Sequence, residues 1–148
     1  MVDEIDAKIL KLLSKDADAT TNSLKKDIAL SIPAINKRVK NLKKEGVIKK
    51  STIVTDGKKV GKPILAFVMI IIQSLDKVDK LMEYVNSNPD ILECFSVSGE
   101  YDYILKVVAK DVETLDQKLL ELKKQNNITK SHTLFALSSH KQSYTILP

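Results

Sequence analysis

Cysteine is almost missing from this chain. Cys94 is the single one in 148 residues, so no internal disulfide can form and nothing argues for an exported, disulfide-stapled domain. Long apolar runs are missing too. The longest, Ile64 to Ile72, falls far short of the ~20 residues that span a bilayer, so no membrane partner is expected. The opening Met1-Val2-Asp3-Glu4 is acidic, unlike a secretory leader. These absences point to a soluble cytoplasmic protein. No metal-ligand spacing, glycine-rich phosphate loop or carboxylate pair stands out, so neither metal nor cofactor is expected. Cys94 with His132 or His140 is the one nucleophile-and-base set to consider. Cys94 lies mid-strand in an apolar run, where a lone cysteine serves packing, while His132 falls on a strand and His140 in the tail. An enzyme is therefore not expected.

What is present is a globular balance, with 43% hydrophobic and 29% charged residues, in a length that suits one ordinary domain or two small ones. The net charge of +5 is unevenly spread. Residues 1–60 hold 14 Lys/Arg against 8 Asp/Glu, and residues 61–148 hold 10 against 11. A basic module beside a near-neutral one suggests a polyanion partner for the first and another task for the second.

The basic module reads as three helices. Asp3 caps the first, whose apolar stripe is Ile5, Ile9, Leu12 and Leu13. Thr20 or Thr21 caps the second, which runs to about Ala29 with Leu24 and Ile28 inward. Leu30-Ser31 forms a short turn. Ser31 caps the third helix through its hydroxyl, Pro33 sits early where its missing N–H costs little, and Gly46 closes it in a left-handed conformation. Two short helices, a tight turn and a third helix make a helix-turn-helix. On the third helix Ile35, Val39 and Leu42 define the buried side. Pro33, Lys37, Lys40, Asn41 and Lys44 lie opposite, with Arg38 flanking them. Such a face suits the major groove of double-stranded DNA. First-turn geometry nominates Pro33, Ala34 and Lys37 for base edges, and Lys40, Lys44 and Arg38 for phosphates.

Val47 to Thr55 alternates and is β-branched, which predicts a short strand pair, the wing. Asp56-Gly57 signals a turn and residues 58–61 a hinge. Lys49, Lys50, Lys58 and Lys59 either touch phosphates or keep the linker soluble. Beyond them a strand is predicted over Ile64 to Gln73, then a helix capped by Asp76 with Val78, Leu81, Met82 and Val85 inward, stopped by Asn88-Pro89-Asp90. A strand over Ile91 to Ser98 turns tightly at Gly99-Glu100 into another over Tyr101 to Ala109. Asp111 caps a second helix with Val112, Leu115, Leu119 and Leu122 inward, ended by Asn126-Asn127. A fourth strand spans Ile128 to Leu137, and the tail 138–148 offers one more short strand. The predicted class is α+β: an N-terminal winged helix-turn-helix at 1–50, a wing and hinge at 51–62, and a C-terminal ferredoxin-like βαββαβ sandwich at 63–148.

A sheet with helices on one face should alternate apolar and polar residues. Ile64 to Ile72 does not. Something must cover the second face, either the same sheet of another subunit in a two-fold dimer or the tail folding back.

These stretches together resemble the Lrp/AsnC (leucine-responsive/asparagine regulator, feast/famine) family. "DEIDAKILKLLSKDA" resembles the family's first helix, and "LSIPAINKRVKNLKKEGVIKK" its turn, recognition helix and wing start. "DGKKVGKPILAFVMI" resembles the hinge and first sheet strand, and "SGEYDYILKVVAKDVETL" the strand-turn-strand around Gly99, Tyr101 and Asp102. The resemblance implies a transcription regulator that binds pseudo-palindromic DNA as a homodimer or as tetramers or octamers. It also implies an amino-acid effector taken in a cleft lined in part by Gly99, Glu100, Tyr101 and Asp102. Gly99 would let backbone pass close by, and Asp102 would meet an ammonium group; a tight turn needs such residues in any case. The chain departs from the family pattern at Lys25, Ala29, Lys50 and Gly57.

Two other readings compete. A βαββαβ sheet with aromatics at Phe95, Tyr101 and Tyr103 can bind RNA, but the expected basic neighbours are missing. A sensor or assembly module without DNA binding is opposed by Lys37, Arg38, Lys40 and Lys44.

Overall fold

A computed structural model describes residues 2–126 and 128–148. The chain divides into two compact units, Met1–Val54 with Lys141–Pro148, and Thr55–His140.

The first unit is built from α1 (Glu4–Lys15), α2 (Thr21–Lys25) and α3 (Ile32–Lys44). Each start is capped as its sequence demands. The Asp3 carboxylate accepts the Asp6 N–H at 2.8 Å in a reciprocal capping box, satisfying donors that the helix leaves free. Thr20 Oγ1 accepts the Ser23 N–H, and Ser31 Oγ accepts the Ala34 N–H. Gly46 ends α3 at φ +72°, a conformation that glycine adopts without a Cβ penalty. Ile9, Leu10, Leu24, Ile28, Ile35 and Leu42 form the core between the three helices. α2 is shorter than expected and gives way to turns from Lys26 onward.

The wing differs from expectation: residues 49–56 hold neither strand nor helix. A two-stranded ribbon is only marginally stable without a surface to pack on. Ile53 at 84% exposure and Val54 at 63% have no such surface in this chain. The hinge is a turn over 57–61. The Lys62 N–H donates to the Gly57 carbonyl, and a Cβ on Gly57 would lie 2.7 Å from the Lys62 carbonyl oxygen, so no larger residue fits without a shift.

The second unit runs β1 (Ile64–Ile72), a 3-10 turn (Leu75–Lys77), α4 (Val78–Ser87), β2 (Ile91–Ser96), β3 (Tyr103–Ala109), α5 (Val112–Asn126) and β4 (Ile128–Phe135). All pairings are antiparallel, in the order β2-β3-β1-β4, which is the ferredoxin-like arrangement. One sheet face, carrying Ala66, Val68, Ile70, Ile72, Leu105, Val107 and Ala109, packs on Leu81, Val85, Leu115 and Leu122 of the two helices.

Four local expectations change. Asp76 does not cap α4; it accepts the Ser74 hydroxyl, and α4 starts after Lys77 without a side-chain cap. That local bond takes the carboxylate first. The connection between β2 and β3 is the six-residue segment 97–102 rather than a tight turn. β4 stops at Phe135, and the tail adds no strand. Asp111 does cap α5, accepting the Thr114 N–H at 2.7 Å, whereas the stop expected at Asn126-Asn127 lies in part outside the described residues, at Asn127.

Candidate nucleic-acid interface and effector loop

α3 presents its lysines as the stripe requires. Burial of Ile35 and Leu42 turns Pro33, Lys37, Lys40, Asn41 and Lys44 to the exposed side. Ser31 is committed to its own helix as the N-cap. Ala34, Lys37, Arg38 and Asn41 meet around one shallow depression, with Asp6 and Glu45 on its rim. Four expected contact residues are thus contiguous.

Arg38 is the exception within this set. Its Nη1 lies 2.7 Å from Asp3 Oδ2 and 2.8 Å from Asp6 Oδ1, tying α3 to the first turn of α1. Donating hydrogen bonds to the Asp6 carboxylate, and then to that of Asp3, raises the guanidinium pKa above its ordinary value. The Asp6 backbone N–H, then Arg38, hold the Asp3 carboxyl below the usual range. Part of the charge counted toward a phosphate surface is neutralised inside the unit.

A second interhelical tie was not singled out in the sequence. Thr21 Oγ1, at the start of α2, donates to Asn36 Oδ1 on α3 at 2.6 Å. Helical spacing alone places Asn36 about 100° from Ile35, on the margin of the exposed face. What fixed its amide was the packing of α2.

In the second unit, Gly99, Glu100, Tyr101 and Asp102 sit together on the loop between β2 and β3. Gly99 adopts φ +121° with open space around it, so its backbone angle, not a close approach within this chain, calls for glycine. Asp102 turns into the sheet. Its N–H donates to the Ile70 carbonyl, and its Oδ2 accepts the Ile72 N–H at 2.9 Å, where the β1–β4 register shifts. Glu100 pairs with Lys130, and that hydrogen bond lowers the Glu100 pKa and raises that of Lys130. Lys130 Nζ also lies 5.4 Å from the Tyr101 ring centroid, and the Tyr101 and His132 rings are 6.4 Å apart. The loop is thereby pinned to β4.

The other sheet face stays open. Phe67, Phe95 and Leu134 are 38%, 57% and 49% exposed, and cross-strand pairing aligns them with Met69 and Ile104. Cys94 is half-buried and packs against the core, and burial raises its thiol pKa, the reverse of what a nucleophile needs. Among the described residues no cluster of His, Cys, Asp or Glu could hold a metal, and no helix is long and apolar enough to cross a membrane.

Comparison with known proteins matches both units. Residues 2–49 match the winged helix-turn-helix DNA-binding family, and residues 65–146 the Lrp/AsnC ligand binding domain. The transcriptional regulator AzlB of Bacillus subtilis is 35% identical over 99% of this chain and 95% of its own. An AsnC family transcriptional regulator from Agrobacterium tumefaciens superposes with a TM-score of 0.90 at 28% identity, covering 99% of this chain and 96% of its own. A Neisseria meningitidis regulator crystallised with L-methionine shares the fold, with a TM-score of 0.93 at 24% identity over 99% and 96% of the two chains. The relatives are regulators rather than enzymes. The chain belongs to the Lrp/AsnC family and is a DNA-binding transcriptional regulator of that type.

Proposed function

We propose that the protein acts in the cytoplasm as a two-fold homodimer that lays two α3 helices on a pseudo-palindromic duplex, with its DNA affinity tuned by an amino acid. The observation that carries the dimer is the open apolar sheet face around Phe67, Phe95 and Leu134. An apolar patch on a central sheet is a surface that a partner covers, and two copies of one patch satisfy an isologous interface. The dimer also supplies the two half-site readers that a helix-turn-helix protein uses. Further assembly into tetramers or octamers is read from the mass in solution.

At the DNA, Lys37 with Pro33 and Ala34 reads base edges, while Lys40, Asn41 and Lys44 hold phosphates. Ser31 acts by fixing the first turn of α3. Arg38 contributes by locking α3 to α1.

The effector site of this reading is the loop carrying Gly99, Glu100, Tyr101 and Asp102. Regulators of the same fold from Neisseria meningitidis and Mycobacterium tuberculosis were crystallised with L-methionine. Here Gly99 gives the loop its path, Glu100 and Tyr101 are positioned by Lys130, and Asp102 keeps one carboxylate oxygen for an ammonium group.

Gel shifts on genomic fragments at low salt, repeated with each of the twenty amino acids, test the whole reading. Binding that falls steeply with salt is expected, with at least one amino acid changing the affinity. Absence of any shift at low salt refutes DNA binding. Unchanged affinity and unchanged melting temperature with all twenty refutes the effector.

A further inference from the structure

The Thr21–Asn36 pair belongs to no core and closes no helix, yet it fixes an exposed amide beside the basic face of α3. The bond at 2.6 Å turns Asn36 Oδ1 inward to the Thr21 hydroxyl. The amide is planar, so Nδ2 faces the opposite way, and it has no hydrogen-bond partner among the described residues. Asn36 is exposed while Thr21 is half-buried, so the threonine is the anchor and the asparagine the arm. The amide therefore presents donors only, and it presents them with part of its side-chain entropy already lost before any ligand arrives.

Its place on α3 selects the acceptor. Lys37 occupies the middle of the exposed face, whereas Asn36 lies at the margin next to α2. A helix seated in the major groove points its centre at the base edges and its margins at the sugar-phosphate walls. We propose that Thr21 and Asn36 form an uncharged phosphate clamp, in which Thr21 orients the Asn36 amide and Nδ2 donates to a backbone phosphate on the α2 side of the groove. Asn36 is the contact and Thr21 the positioning residue. The clamp sets the register of α3 so that Lys37 meets its base. This rests on the assignment of α3 as the DNA-reading helix.

Charge gives the test its signature. A lysine that neutralises a phosphate releases a counterion and steepens the salt dependence; a neutral amide does not. The probe is a duplex selected from a randomised pool by the wild-type protein. Asn36→Ala should bind it about tenfold more weakly, as a lost hydrogen bond to a charged acceptor implies. The loss should be equal at every salt concentration, so the log–log salt plot shifts without changing slope. Lys40→Ala in parallel should lose about 0.9 of slope for each phosphate contact removed. Asn36→Asp, nearly isosteric but anionic, should lose more than Asn36→Ala. Thr21→Val should lose part of the affinity, and Thr21→Ser should recover it by restoring the hydroxyl. A second selection with Asn36→Ala should return the wild-type sequence.

Wild-type affinity in Asn36→Ala, with Lys40→Ala impaired, overturns the clamp alone. A changed salt slope in Asn36→Ala overturns its neutral role. A changed selected sequence makes Asn36 a base reader and overturns the phosphate assignment. Full affinity in Lys37→Ala and Lys40→Ala as well overturns the DNA-reading face and the clamp with it. Far-UV circular dichroism of each variant verifies that the helices remain.

Discussion

Replacing Phe67 tests whether a second subunit covers the open sheet face. Phe67 lies in the middle of β1, between β3 and β4, with Lys106 and Leu134 as cross-strand partners. It stays 38% exposed within the subunit. A phenylalanine offers about 150–250 Å² of surface, so about 60–95 Å² of Phe67 is left for a partner to bury. At about 25 cal/mol per Å², that burial contributes about 1.5–2.4 kcal/mol per copy. A two-fold interface uses the residue twice. Phe67→Ala should therefore weaken dimerisation by about 3–5 kcal/mol, roughly a hundred- to several-thousand-fold in Kd. Phe67→Asp should go further, because its carboxylate would have to be desolvated on an apolar patch. Sedimentation across a concentration series gives the association constant, and circular dichroism checks that each variant is folded. A folded Phe67→Asp that keeps the wild-type mass down to low protein concentration refutes the covered-face reasoning. A wild-type protein that is monomeric throughout does the same.

Three further outcomes are expected. Arg38→Ala should lower the melting temperature of the first unit, because it strands Asp6, whose side chain is only 14% exposed; an unchanged melting temperature with weaker DNA binding would instead make Arg38 a direct phosphate contact. Lys37→Ala should change sequence preference by about 1–3 kcal/mol at one position if the contact is bidentate, and an equal loss on all duplexes would refute base reading. Acid should destabilise the second unit through Asp90. Burial pushes its carboxyl pKa up, but hydrogen bonds from Lys118 and then Lys62 outweigh that and hold it below the usual range. A depressed folded pKa stabilises the protein above the unfolded value near pH ~3.9 and is lost as pH falls through the folded value. Melting temperature against pH should therefore fall below about pH 4 and fall less steeply in Asp90→Asn; identical acid slopes would refute the linkage.

The helix starts at Asp3, Thr20 and Ser31 and the left-handed stop at Gly46 were legible because capping is local. Each bond spans about one helical turn, so the residues that make it are visible in a short window. The buried stripe of α3 was legible for the same reason, and so was the excess of positive charge in the first sixty residues. The unbroken apolar run of β1 carried information of another kind: it put apolar side chains on both faces of that strand before any partner was considered. The limits of such reading appear at Asp76 and at the 47–55 segment. Asp76 has the right residue type for a cap, but Ser74 claims its carboxylate. The 47–55 segment has a strand pattern, but Ile53 and Val54 stay exposed and no strand forms.

Periodicity and capping thus determined the element order, the α+β class and the exposed lysine face of α3, because these follow from backbone sterics and from which side chains avoid water. Tertiary structure alone decided what the polar ends of those side chains do. Arg38 meets Asp3 from 35 positions away, Asp102 reaches Ile72 across 30, and Thr21 meets Asn36 across 15. Contacts at such separations depend on how elements dock. Docking therefore made Arg38 an internal tie, turned Asp102 into the sheet and fixed the Asn36 amide beside the lysines of α3.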